Sequence, residues 1–169
     1  CSMSTDSRSP QARLPARVKV AVIDSGIHAA HPHIGSVAGG VAIDADGRHS
    51  DDWSDRVGHG TAVAAAIREK APLADLYAVR IFGDRLSARA SALLAGIDWA
   101  LDAGMHVINL SLGTSKVEHR AGFEASIRRA TRAGAVIVAA RDDEGVKWLP
   151  GSLPGVLGVQ VDWHCPRDQ

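Results

Sequence analysis

The chain has 169 residues, enough to bury one full core and too few for two ordinary domains, so a single architecture is expected. Hydrophobic residues make up 46% and charged residues 22% of it, a composition that excludes a disordered or fibrous protein. Nineteen basic residues balance nineteen acidic ones, so no bulk field draws the chain to nucleic acid or to an anionic membrane, and neither partner is expected.

Residues 1–16 are rich in Ser, Arg and Pro and lack the apolar segment of a secretory signal. They read as a flexible N-terminal arm ahead of a domain over 17–169, and a cytoplasmic location is the default expectation. Residues 18–24, Val-Lys-Val-Ala-Val-Ile-Asp, form the first strand. The stretch with Gly39-Gly40 and the polar segment from Asp44 to Asp55 reads as a loop. Gly58-His59-Gly60-Thr61 then opens a helix of small residues running through Ile67. Residues 73–82 contain the next strand, and Leu94, Ile97 and Leu101 recur at helical spacing within 88–103, a helix that Gly104 ends.

Another strand covers 107–112. Phe123, Ile127 and Ala130 mark a second covering helix, whose Arg128, Arg129 and Arg132 are expected to point to solvent. Residues 135–140 and 156–161 read as two further strands, apolar at nearly every position as in strands buried on both faces. No apolar run reaches the length of a membrane span. This alternation predicts an α/β fold: three layers, with a mostly parallel sheet covered by helices on both faces.

In a parallel sheet, functional groups gather at the carboxyl edge, where strands end and helices begin. Asp24 closes the first strand, and His59 begins a helix between two glycines that permit a tight entry and close backbone approach. Taken singly, Asp24 serves equally as a turn residue and His59 as a structural helix-start histidine. Taken together, they have the residue types for a carboxylate that fixes the tautomer of an imidazole, leaving its other nitrogen to take a proton from a nucleophilic hydroxyl.

At this point four segments resemble the subtilisin-like (S8) serine peptidases. Val20-Ala-Val-Ile-Asp-Ser-Gly-Ile27 with His31-Pro32 is similar to that family's aspartate motif, and Gly58-His-Gly-Thr-Ala-Val63 to its histidine motif. Val107-Ile-Asn-Leu-Ser-Leu-Gly113 resembles the strand walling the substrate pocket, and Ala135-Val-Ile-Val-Ala-Ala140 the strand leading to the oxyanion-hole asparagine. The resemblance spans residues 18–161. It implies a subtilisin-like fold, hydrolysis of peptide bonds by an Asp-His-Ser triad, Asp24 and His59 as catalytic residues, and Ser111, Leu112 and Gly113 as substrate-binding residues.

Two departures qualify it. Asp143 stands at the oxyanion position in place of an asparagine, and losing such a donor typically costs about a hundred- to a thousand-fold in rate. The family's Gly-Thr-Ser-x-Ala nucleophile motif is not found after Val161, so the chain reads as truncated before the catalytic serine and inactive alone. Gly113-Thr114-Ser115 precedes the asparagine-equivalent strand, and Ser152 sits in a loop without a following helix. Neither is expected to be the nucleophile, nor is Cys165 in its polar tail.

Metal readings draw on His28, His31 and His33, and on Asp44, Asp46, Asp51, Asp52 and Asp55. The aspartates would suit calcium but lack the spacing of a dedicated loop, so no metal or cofactor is expected. Three functions stay open: a serine endopeptidase to which this chain supplies Asp and His, a pseudoenzyme that binds peptide or regulates a partner, and a small-ligand or metal-binding doubly wound domain. If the native chain ends before the serine-bearing helix, the sheet face left without it would seek self-association, a second polypeptide or the chain's own severed remainder.

Overall fold

The computed structural model describes residues 17–83, 88–143, 145–162 and 164–165, together with the backbone but not the side chain of Asp143. The expected N-terminal arm, 1–16, lies outside the described residues. In chain order the elements are β1 (Lys19–Asp24), β2 (Gly39–Ile43), β3 (His49–Ser50), α1 (His59–Lys70), β4 (Asp75–Arg80) and α2 (Ala90–Asp102). They continue with β5 (Val107–Leu110), a short 3-10 turn (Val117–His119), α3 (Arg120–Ala133), β6 (Val136–Ala140), β7 (Asp142–Asp143), β8 (Val146–Lys147) and β9 (Leu157–Val159).

Seven strands form one sheet in the order β3-β2-β4-β1-β5-β6-β9, parallel throughout except for the β2–β3 pair, while β7 and β8 form a separate antiparallel ribbon. Strand periodicity sorts β1 between two layers. Ala21 and Ile23 face a core shared with Leu93 and Ile97 of α2 and with Phe123 and Ile127 of α3. Val20 and Val22 face the other way, onto Ala64 of α1 and Leu76 and Ala78 of β4. Helices thus cover both faces, as the alternating pattern predicted. Phe123 is fully buried, and such a side chain contributes about 2 to 3 kcal/mol of hydrophobic stabilisation.

Three expectations are corrected. The Gly39-Gly40 stretch is not a loop but the start of β2, pairing in parallel with Tyr77 and Ala78 of β4. Its glycines hid the strand because they lack side-chain propensity, yet the packing needs one of them. A Cβ on Gly40 would lie 2.5 Å from the Ala78 carbonyl oxygen and 2.8 Å from the Trp53 ring.

The last two sheet strands are not buried on both sides. Ile137 and Ala139 enter the core, whereas Val136, Leu157 and Val159 remain 46%, 58% and 48% exposed. Register places Val138 beside Leu157 and Ala140 beside Val159, so these residues share the face on which α1 lies, and α1 packs over β1 and β4 rather than this far along the sheet. Finally, Arg128 and Arg132 are exposed as expected, but Arg129 turns onto α2, bonding Asp98 and, at 2.8 Å, Asp102.

Candidate active site

The alternation that sends Val20 and Val22 toward α1 sends Asp24 to the same side at the end of β1, where α1 begins. The result is a fully buried carboxylate facing an imidazole. His59 Nδ1 lies 2.8 Å from Asp24 Oδ1 and 2.9 Å from Oδ2, and the Ser25 backbone N–H donates to Oδ1 at 2.7 Å. A carboxylate accepts from Nδ1–H and thereby leaves Nε2 as the free acceptor of the neutral ring. The His59 side chain is 42% exposed, so that second nitrogen belongs to the accessible part of the site.

Three glycines make the approach feasible, each differently. Gly58 adopts φ 94° as the residue before α1, a left-handed conformation that turns the chain into the helix. Gly60 has no room for a side chain, since its Cβ would come within 2.2 Å of the Gly26 carbonyl oxygen and 3.1 Å of Asp24 Cβ. Gly26, at φ 105°, is equally confined by the Trp53 carbonyl oxygen. The loop after β1 and the first turn of α1 therefore touch backbone to backbone.

Ser111, Leu112 and Gly113 follow β5, one residue beyond its end at Leu110, instead of continuing it. Because Ile23 is in register with Leu110, Ser111 stands level with Asp24 at the sheet's carboxyl edge. The Asn109 amide donates to Ser111 Oγ at 3.0 Å, and Thr114 is bridged to Leu149 by paired backbone bonds of 3.0 and 2.9 Å. Leu112, Gly113 and Thr114 also line a cleft against Arg89, Ser91 and Leu94 of the α2 end. Asp143 follows β6 and pairs through its backbone with Val146, while its side chain lies outside the described part of the structure.

The remaining candidates are elsewhere. Ser115 is exposed beyond the β5 end, Ser152 lies in the turns between β8 and β9, and Cys165 is exposed near the C-terminus. The His59 ring's hydrogen bonds, among the described residues, go to Asp24. The His31 and His33 rings lie with centroids 5.4 Å apart, tilted by 34° to each other. Among the described residues no three His, Cys, Asp or Glu side chains converge into a metal-binding set. Asp44 caps its own turn through the N–H groups of Asp46 and Arg48, and Asp52 pairs with Ser54, Arg56 and Arg80. The Arg48 backbone bond holds the Asp44 carboxyl below the usual range, and the Ser54 hydroxyl does the same for Asp52.

Sequence reasoning missed Ser25 and Asp55, which join the Asp24 segment to α1. It grouped Asp55 with the calcium candidates, although an aspartate shortly before a helix start is an ordinary signal of N-terminal capping. Burial pushes the Asp55 carboxyl up, but bonds from Thr61, Gly58 and Val57 outweigh it and hold the group below its ordinary value.

The sequence model of the subtilase family matches residues 16–158. The chain is 34% identical over 161 residues to the thermostable alkaline protease of Halalkalibacterium halodurans, covering 88% of this chain and 43% of that protein. It is 37% identical over 137 residues to subtilisin Savinase of Lederbergia lenta, covering 76% of this chain and 48% of that one. A crystal structure of a lanthipeptide protease superposes with a TM-score of 0.70 at 23% identity, covering 82% of this chain and 46% of that one, a likeness of fold. The chain thus spans less than half the length of these relatives.

Proposed function

The chain belongs to the subtilase family, a family of subtilisin-like peptidases, and from that premise we propose that it supplies the acid–base half of a serine endopeptidase. The observation that carries this reading is the imidazole of His59 held by Nδ1 at 2.8 and 2.9 Å from the two oxygens of a wholly buried Asp24. In this reading Asp24 fixes the tautomer and stabilises the imidazolium. Nε2 of His59 takes the proton of an attacking serine hydroxyl and later returns it to the leaving amine. The serine comes from the part of the family's fold that this chain does not span.

Substrate enters as an extended peptide laid along Ser111, Leu112 and Gly113, where main-chain pairing supplies affinity and the adjoining cleft reads side chains. The family's motif assigns Asp143 to the position that meets the developing oxyanion. An ionised carboxylate there would repel it, so the position assists only when protonated.

The uncovered sheet face supports the same reading. Val136, Leu157, Val159 and Val161 are exposed together around β6 and β9, and contiguous apolar surface of this kind calls for cover. We assign that cover to the part of the family's fold that brings the serine, whether it continues this chain or comes from a second one. In its absence the chain should self-associate, with a weight-average mass rising with concentration in sedimentation equilibrium and Leu157→Lys reducing the rise. A chain monomeric throughout would refute the assignment.

Asp143 in place of an amide donor favours a second reading, a peptide-binding pseudoenzyme. A fluorophosphonate separates the two. The complete protein should gain one covalent adduct by mass, abolished by His59→Ala, whereas a pseudoenzyme gains none.

A further inference from the structure

Beside the Asp24–His59 pair, one carboxylate ties together the two segments that carry it. Asp55 lies in the loop leading into α1, ahead of His59. Its Oδ1 accepts from the Ser25 hydroxyl at 2.9 Å and from the N–H groups of Val57 and Gly58 at 2.9 and 2.8 Å. Its Oδ2 accepts from the Thr61 N–H at 2.9 Å and from the Thr61 hydroxyl. The network closes through its partners. Ser25 Oγ accepts the Gly60 N–H at 2.9 Å, and Thr61 Oγ1 accepts the His28 N–H at 2.9 Å.

Capping α1 needs only an acceptor for the free N–H groups of its first turn. The bonds to Ser25 and, through Thr61, to His28 exceed that need. They cross from the helix to the residues next to and just beyond Asp24, so the carboxylate fixes both sides of the Asp24–His59 hydrogen bond at once. The Asp55 charge also lies at the positive end of α1, where an anion is favoured.

We propose that Asp55 is a positioning residue that holds the His59 imidazole in line with Asp24, acting through Ser25, Gly58 and Thr61. This inference rests on the reading of His59 as the general base. A base must lie within hydrogen-bond reach of the proton it takes, and misplacement by about 1 Å can cost about a hundredfold in rate. Asp55 touches no reacting atom in this scheme. Its contribution is the geometry of the residue that does.

The test uses this chain with 15N-labelled imidazoles and reads the His59 Nδ1 proton, which a carboxylate partner deshields and protects from exchange. In the unsubstituted chain the resonance should be present, and Asp24→Asn should remove it. Asp55→Asn keeps the side-chain shape and one acceptor oxygen, and should speed Nδ1–H exchange several-fold while melting stays cooperative. Asp55→Ala should abolish the resonance. In the complete enzyme Asp55→Asn should lower kcat by about tenfold to a hundredfold and change KM less than about twofold.

An Asp55→Asn chain whose His59 resonance keeps its position and exchange rate would overturn the proposal, and this variant decides the matter if Asp55→Ala does not fold. An unsubstituted chain lacking the resonance would overturn the general-base reading and this inference with it. Normal dependence of the resonance on Asp55 in a complete protein that hydrolyses no peptide would instead refute only the proposed endopeptidase.

Discussion

Replacing Gly60 with alanine sets two effects of opposite sign against each other. Helix propensity alone favours the substitution by about 1 kcal/mol, because glycine is a poor helix former. Tertiary packing opposes it, since the new Cβ would stand 2.2 Å from the Gly26 carbonyl oxygen, 3.1 Å from Asp24 Cβ and 3.2 Å from the Gly26 nitrogen. Relieving the closest contact requires the helix start and the β1 loop to part by about 1 Å, and overpacking of this kind typically costs about 1 to 3 kcal/mol, occasionally more.

The same movement stretches the 2.9 Å bond from the Gly60 N–H to Ser25 Oγ, adding about 1 kcal/mol. Packing therefore wins, with a net destabilisation of about 2 kcal/mol. For a chain of this length that lowers Tm by about 4 to 8 °C. Thermal melts of both proteins followed by circular dichroism at neutral pH measure it directly. A Tm that is unchanged or raised would show that the close approach of β1 and α1 does not constrain the site.

The other expectations test separate parts of the structure. In the complete enzyme, Asp24→Asn should reduce kcat by about ten-thousand-fold, as expected when a triad imidazole is left in the wrong tautomer, and undiminished peptide hydrolysis would refute the assignment. Because the fold depresses the Asp55 pKa, its ionised form contributes stability that is fully present above the unfolded value near about 3.9 and is lost as pH falls through the lower folded value. Urea titrations of Asp55→Asn should accordingly show a loss at pH 7 that shrinks below about pH 4. Arg129→Ala removes partly exposed ion pairs to Asp98 and Asp102 and should cost about 0.5 to 1 kcal/mol in urea titrations, a difference that 1 M salt, at about a 3 Å screening length, largely erases.

The helices and inner strands were legible because their apolar periods are undisturbed. Phe123, Ile127 and Ala130 repeat at helical spacing and all enter the core. Asp24 and His59 could be picked out because they break those patterns at an element's edge. β2 was not legible, since Gly39-Gly40 carries no strand propensity and its pairing with β4 depends on a neighbour distant in sequence. Neither was the role of Asp55, one carboxylate among several in a polar stretch, whose partners Ser25 and Thr61 meet it only after β1 and α1 have docked.

The sequence by itself determined the layers, because a two-residue period on β1 and a helical period on α2 and α3 each demand a covered apolar face. It also determined that a carboxylate and an imidazole lie at element ends. Only the tertiary structure decided their relation: the glycine at 60 lets the first turn of α1 touch the Gly26 backbone, and Asp24 and His59 come into hydrogen-bond contact there. It likewise decided that, among the described residues, β6 and β9 keep one apolar face open. That follows from how far α1 reaches across the sheet, and the apolar residues of these strands alone do not specify it.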